Sequence, residues 1–282
     1  MRIVQSAPAV PALRPFVRAF AQRTATDVHE VQPMPAFLET VIHFEFDDHL
    51  SVQSAGGSFE VGRRLGLVGP HTHAGTRLRF EGSIDSFAIF LQPAALWPLF
   101  GVPTSAVMET HYDAEDVLGA PVAELWHVLA AAPSFAARMR AAETFLLHCS
   151  PCDTGDTPAT AAASLLAHRD GRIVVHDLAS QMNISMRQLE RCFVREMGIP
   201  PIRFARVARF QAALDTRVRR PDRSWLDIAV DSGYHDQMHL IHEFKALCGM
   251  PPTRTMERLG DSRPSALAFS HTLYRHEKSL RR

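Results

Sequence analysis

The feature that most constrains this chain is a repeat in its C-terminal third. The segment DLASQMNISMRQLERCFVREMGIPP, residues 177–201, returns as DIAVDSGYHDQMHLIHEFKALCGMPP, residues 227–252. Asp177, Leu178 and Ala179 recur as Asp227, Ile228 and Ala229. Leu189, Phe193, Gly198, Pro200 and Pro201 recur 51 residues later as Leu240, Phe244, Gly249, Pro251 and Pro252. A period of this length encodes a supersecondary unit present twice. Each copy reads as a short helix ending near Met182 or its equivalent, a tight turn, and a second helix. Asn183 and Gly233 stand at the turns, where a left-handed backbone is tolerated. Ser185 has the position of an N-cap, with Gln188 three residues on completing a capping box, and Asp236 caps the second copy. Leu189/Phe193 and Leu240/Phe244 fall at i, i+4 and point into each unit. Gly198 and Gly249 stop the second helices, and the paired prolines prevent continuation.

Burying Leu189, Phe193 and Met197 leaves Arg187, Gln188, Glu190, Arg191 and Arg195 on the open face of the first such helix. Arg bridges guanine O6 and N7, and Gln reads adenine or bonds phosphate, so an exposed Arg/Gln face suits a DNA major groove. The second copy exposes Gln237, Met238, His239, Ile241, His242 and Lys245. Such a stripe on one helix is usually a solvated face; its recurrence at the same place in two helix-turn-helix copies favours DNA. Between the copies, residues 202–218 read as one helix with Ile202, Val207, Phe210 and Leu214 facing inward. A continuous helix holds the two units at a fixed separation, and reading helices about 34 Å apart enter successive major grooves.

Residues 164–259 resemble the DNA-binding domain of the AraC family of transcription regulators. The two units, the bridging helix with Arg206, Val207 and Arg209, and the Gly-x-Pro-Pro ends carry the likeness. The resemblance implies base contacts from the second helix of each unit, here Arg187, Glu190 and Arg191, and Gln237, Met238, His239 and His242. His235, Met238 and His242 replace the family's frequent Ser, Gln and Arg. That departure implies weaker binding by the second unit, or binding mainly through phosphates. The stretch LVGPHTHAGTRLRF, followed by Gln92-Pro93 and residues 99–103, resembles the cupin-like N-terminal domain carried by some of these regulators. Leu91 replaces the charged residue usual before that turn.

The implied fold class is α+β: a β-rich cupin-like domain with trailing helices, then an all-α domain of two helix-turn-helix units joined by a linker helix. The expected boundaries are residues 1–150, a linker at 151–160, a DNA-binding domain at 161–260 and a basic tail at 261–282. The Pro/Gly/Ser/Thr/Asp-rich stretch 150–159 marks the linker. Charge follows the same division. Residues 1–163 hold 10 basic and 17 acidic side chains, residues 164–260 hold 15 and 11, and the tail holds 5 and 2. Only Lys245 and Lys278 are lysine. An acidic front and a basic back place the polyanion at the back. In the front half, TVIHFEF at 40–46 alternates, Gly56-Gly57 signals a hairpin within 51–61, and 77–80 and 85–91 read as further strands. Residues 120–131 and 134–149 read as helices, the latter with Phe135, Met139, Ala142, Leu146 and Cys149 along one face.

A barrel lined by Phe44, Phe46, Phe87 and Phe90 either holds an apolar ligand or is a filled core. His71 and His73 are two metal-type ligands on one strand face, but the next carboxylate, Glu81, lies too far along for a cupin metal site. Cys149-Ser-Pro-Cys152 has no second pair, and Cys192 and Cys248 on helices read as small buried hydrophobes. The expectation is therefore neither metal nor cofactor and no enzyme, but a sequence-specific transcription regulator controlled by a signal read in the front half. The rival readings are a cupin-type metalloenzyme fused to a DNA-binding module, and an architectural DNA binder without sequence preference. The expected partners are double-stranded DNA, RNA polymerase, a small-molecule effector and a second copy of the chain. The charge-free run 86–108 is broken by Pro93, Pro98 and Pro103, and Pro8, Pro11 and Pro15 interrupt any leader, so the expected compartment is the cytoplasm, with no membrane partner.

Overall fold

A computed structural model describes residues 2–47, 50–54, 56–149 and 157–259. Most of the expected linker and all of the basic tail therefore lie outside the described residues, as does Cys152. The N-terminal half carries eight described strands: β1 (Arg2–Ala7), β2 (Val17–Pro33), β3 (Thr40–Glu45), β4 (Leu50–Gln53), β5 (Glu60–Val61), β6 (Leu65–Val68), β7 (Arg77–Leu91) and β8 (His111–Asp113). They form one antiparallel sheet in the order β1-β2-β7-β3-β6-β8, with β4 on the other end of β7 and β5 on β4. The two segments expected at 77–80 and 85–91 are one strand. Its first part pairs with β4 and its last part with β3, so the sheet splits along β7. A bulge between Ala25 and Val28, with Asp27 at φ 56°, bends β2 as well. Bulges of this kind increase twist and curl a sheet around an interior.

Side chains alternate across this sheet. Phe20, Ile42, Phe44, Leu67, Phe87, Ile89 and Leu91 lie on one face, buried under α1 (Leu96–Phe100), α2 (Ala114–Leu118), α3 (Ala120–Ala131) and α4 (Phe135–His148). Arg138 of α4 is buried and clamps β7 by two bonds to the Asp85 carboxylate, 2.5 and 2.8 Å, while donating to the Leu129 carbonyl. The opposite face turns toward a cavity.

The C-terminal half is helical: α5 (Pro158–His168), α6 (Val175–Gln181), α7 (Met186–Met197), α8 (Pro201–Arg219), α9 (Trp225–Asp231), α10 (Gln237–Cys248) and α11 (Pro252–Leu259). Asn183 and Gly233 take φ 54° and 75° at the turns before α7 and α10. Leu189, Phe193, Met197, Leu240 and Phe244 are buried in one cluster with Phe204 and Phe210 of α8. Val207, Phe210 and Leu214 face inward as expected, but Ile202 does not: it is 65% exposed. Five positions before Val207 is about 140° around a helix, so Ile202 cannot share that stripe; Phe204 and Ala205 fill it instead. Cys248 is buried, whereas Cys149 and Cys192 are only partly so. Ala36, Leu38 and Ala94 of the N-terminal half belong to the same buried cluster as Phe193 and Phe244, so the two halves share apolar packing.

Candidate nucleic-acid interface and effector cavity

The second helices of the two repeat units, α7 and α10, start and stop alike. The Ser185 hydroxyl accepts the Gln188 N–H at 3.2 Å, and the Asp236 carboxylate accepts the His239 N–H at 2.7 Å. That backbone bond, then the His235 side chain, holds the Asp236 carboxyl below the usual carboxylate range. Side-chain oxygens here satisfy otherwise unpaired helix N–H groups. At the other ends Gly198 and Gly249 take φ 78° and 77°. Arg206 of α8 grips Glu243 of α10 through two bonds, 2.9 and 2.8 Å, and this carboxylate raises the guanidinium's pKa. Arg209 donates to the Gly171 carbonyl at 3.1 Å, just before α6. The bridging-helix arginines quoted for the family likeness thus hold one unit each.

Every residue expected to contact DNA is exposed. Arg187, Gln188, Glu190 and Arg191 occupy the first half of α7, and Gln237, Met238, His239 and His242 the corresponding stretch of α10, with Lys245 beyond them. Ile241 is only partly exposed. Arg195 stands apart: it lies in the last turn of α7 and pairs with Glu196 at 2.7 Å. His239 packs edge-on against the Tyr234 ring at 5.3 Å, and its Nδ1 accepts the His235 N–H at 3.4 Å. A neutral His239 therefore carries its proton on Nε2 and presents a donor.

Sequence reasoning missed what holds the far ends of these helices. The last four carbonyls of an α-helix lack intrahelical partners. In α10, Ala36 N–H donates to the Leu247 carbonyl at 2.7 Å and Ala74 N–H to the Ala246 carbonyl at 3.4 Å. In α7, the Ser105 hydroxyl donates to the Arg195 carbonyl at 2.8 Å. An added Cβ on Gly198 would stand 2.5 Å from Met108 Cγ and 3.0 Å from Ser105 Cα. The N-terminal half thus caps the C-terminal ends of both α7 and α10. A buried polar contact adds to this: Glu39, fully buried, accepts from Arg18 of β2 and from Gln211 Nε2 of α8, the latter at 2.8 Å.

Met34, His71, Thr76 and Glu109, two to four positions along the chain from Ala36, Ala74 and Ser105, line a cavity of about 590 Å³ inside the curved sheet. Phe37 and His71 form a β-bridge and stack at 5.3 Å, linking the Ala36 and Ala74 segments. His71 faces the cavity, as does Glu109, which accepts from the Thr72 N–H at 2.8 Å and hydroxyl at 2.7 Å. His43 of β3 and His111 of β8 meet across β6 with Nε2 atoms 2.8 Å apart. Gly66 lies between them because a Cβ there would come within 2.0 Å of one ring and 2.4 Å of the other. Burial, then the His43, Arg63 and His71 charges, pushes His111 down to about 3. Burial also lowers His71.

Of the aromatic lining expected, Phe90 does line the cavity; Phe44 and Phe87 face the helices, and Phe46 packs on Trp126 at 5.8 Å. The reason is the two-residue strand period: Phe87 and Phe90 have opposite parity and cannot share a face. The inward positions of TVIHFEF are Val41, His43 and Glu45. Polar residues alternating with Ile42, Phe44 and Phe46 were the available signal. His71 and His73 do not share a strand face. They sit in a loop, where His73 is largely exposed and 3.3 Å from Glu109. Among the described residues no three His, Cys, Asp or Glu side chains converge to hold a metal ion. Nor is any described helix long and apolar enough to cross a membrane.

Residues 178–258 match the family described as "Helix-turn-helix domain". Comparison with curated protein sequences finds no match. Among solved structures, ToxT from Vibrio cholerae O395 is similar at 12% identity and a TM-score of 0.50, covering 85% of this chain and 98% of that one. A second V. cholerae ToxT structure, at 1.65 Å, has 10% identity and a TM-score of 0.51, covering 90% and 98%. An apo ToxT variant from V. cholerae strain SCE256 gives 10% and 0.51, covering 86% and 98%. At these identities the likeness is one of fold: an N-terminal β domain followed by a C-terminal helical domain, in the same order along nearly the whole of each relative. Residues 178–258 are an AraC-type helix-turn-helix domain, and the chain that carries them is a DNA-binding transcription regulator.

Proposed function

We propose that the chain binds a specific DNA site through α7 and α10, and that a small molecule in the N-terminal cavity sets how it does so. The observation that carries this reading is that cavity-lining Met34, His71, Thr76 and Glu109 lie two to four positions along the chain from Ala36, Ala74 and Ser105, which cap the ends of both reading helices. Arg187, Gln188, Glu190 and Arg191 read one half-site; Gln237, Met238, His239 and His242 contact the other, with Lys245 and Arg195 nearer the helix ends. The domains proposed are residues 1–150 for sensing and self-association and 161–260 for DNA, joined at 151–160, with 261–282 adding cationic charge. RNA polymerase, a second copy of the chain and the cytoplasm complete the setting of such a regulator.

The test is selection of bound sites from random DNA with the full chain, then titration of the best site against a scrambled one at several salt concentrations. A specific regulator prefers its site by roughly 10³-fold or more, with affinity falling steeply as salt rises. Equal affinity for both sequences means an architectural binder. Affinity flat in salt removes the electrostatic interface altogether.

A further inference from the structure

The cavity wall is charged in a way that selects its occupant. Four carboxylates, Glu45, Glu60, Glu109 and Asp113, and two guanidinium groups, Arg23 and Arg63, line it. Both arginines have acidic partners: Arg23 lies 3.2 Å from Glu30 and Arg63 3.9 Å from Asp113. Glu45 is buried, and its ion-pair neighbour is His43 Nδ1 at 3.3 Å. Glu109 spends one oxygen on Thr72; the other is buried without a hydrogen bond, with the largely exposed His73 3.3 Å away and the buried His71 close enough to feel its charge. His43 is 8% exposed and its Nδ1 has no hydrogen-bond partner. Its other nitrogen is taken by His111, which burial keeps neutral at physiological pH. No lysine occurs before Lys245, so none stands in this half to receive an anion. The remaining wall is apolar, with Phe80 and Phe90 among it.

We propose that the cavity binds an organic cation: a primary amine or alkylated ammonium on a compact apolar or aromatic body. Glu45 and Glu109 receive the positive charge, and the apolar wall takes the body. A carboxylate ligand would enter a site whose excess charge has its own sign and whose two guanidinium groups already have carboxylate partners. An ammonium gains charge-assisted bonds to groups that otherwise lack them, and aromatic faces add attraction for it. A volume near 590 Å³ suits a ligand of this size.

This inference rests on the effector reading above, and the experiment separates the two. The full chain is titrated by calorimetry with 2-phenylethylamine, 3-phenylpropionate and 2-phenylethanol, together with cyclohexyl and short-alkyl counterparts of each class. The amines are expected to bind at least about tenfold more tightly than the alcohols, and the carboxylates weakest. Glu45→Gln and Glu109→Gln keep shape and remove charge; each is expected to weaken amine binding by about tenfold or more. Carboxylates binding as well as amines would overturn the ligand class and leave the effector cavity standing. Amine affinity unchanged in Glu45→Gln/Glu109→Gln overturns the assignment of the receiving groups and with it the proposal. A panel in which no class binds overturns both the cation and the effector reading.

Discussion

Glu39→Ala is the sharpest probe of how the two halves are joined. Glu39 is fully buried; its carboxylate accepts from Arg18 within the sheet and, at 2.8 Å, from Gln211 of the bridging helix. Arg18 is itself only 5% exposed and Gln211 1%. Removing Glu39 breaks its buried ion pair with Arg18, and breaking a buried pair costs about 3–5 kcal/mol. Gln211→Ala keeps that ion pair and removes the bond to Glu39; a hydrogen bond to a charged acceptor contributes about 1.5–3 kcal/mol. Both changes delete the same Gln211–Glu39 bond, so the double variant should cost less than the sum by about 0.5–3 kcal/mol. Urea unfolding followed by far-UV circular dichroism and tryptophan fluorescence measures all three. Trp97 and Trp126 report on the N-terminal half and Trp225 on the C-terminal half. Against a typical stability of about 5–15 kcal/mol, the Glu39→Ala loss is large enough to separate the two transitions. Strict additivity, or a Glu39→Ala cost under about 1 kcal/mol, would refute the idea that this buried contact joins the halves.

Further outcomes follow from other sites. Arg191→Ala should cost roughly 1–3 kcal/mol of specific DNA affinity and relax preference in one half-site, whereas His242→Ala should cost less at pH 7.5; titration of one operator with both variants would expose the opposite order. Because His111 titrates near 3 when folded and near 6.5 otherwise, the unfolded chain binds more protons between those values and stability falls as pH drops through that window. Lowering pH from 7.5 to 5.5 should remove about 1 kcal/mol through this group, and His111→Gln should flatten the dependence seen in urea midpoints, with His71 leaving a residual slope of the same sign. Gly198→Ala should destabilise by about 1–2 kcal/mol for its left-handed backbone and more for its approach to Ser105. Gly101→Ala, with φ 68° and open space around the added carbon, supplies the backbone cost alone, so equal losses in the two variants would argue against the Gly198 contact.

What could be read from sequence was local. Within each copy of the repeat, the Ser185 and Asp236 caps, the Asn183 and Gly233 turns and the buried Leu–Phe pairs depend on short spacings, where helical period and backbone preference decide. Errors arose where period was applied loosely, as with Ile202 outside its stripe and Phe90 grouped with Phe87. The cavity was half legible, because His43 and Glu45 interrupt an otherwise apolar strand. The caps from Ala36, Ala74 and Ser105 were not legible at all. They join groups from 90 to more than 200 residues apart, and an alanine N–H carries no sequence signal.

Those long-range caps decide where a signal can pass. A 12-residue helix is about 18 Å long, so its reading end and its capped end are far enough apart for one to face DNA while the other rests on the N-terminal half. Neither the Ser105 bond nor the two alanine bonds cover Arg187, Arg191, Gln237 or His242, so the contact leaves the reading faces open. It fixes instead the direction in which each helix points. A ligand that moves His71 or Glu109 acts on the same short loops that hold these ends. It changes DNA affinity only to the extent that it binds the two arrangements of those loops unequally. Regulation by this route should therefore alter the spacing and orientation of half-sites the chain accepts more than its contact with either half-site alone. Operators differing only in half-site separation, titrated with and without a bound amine, test this. A ligand effect of the same size on isolated half-sites would place the switch in the reading faces instead.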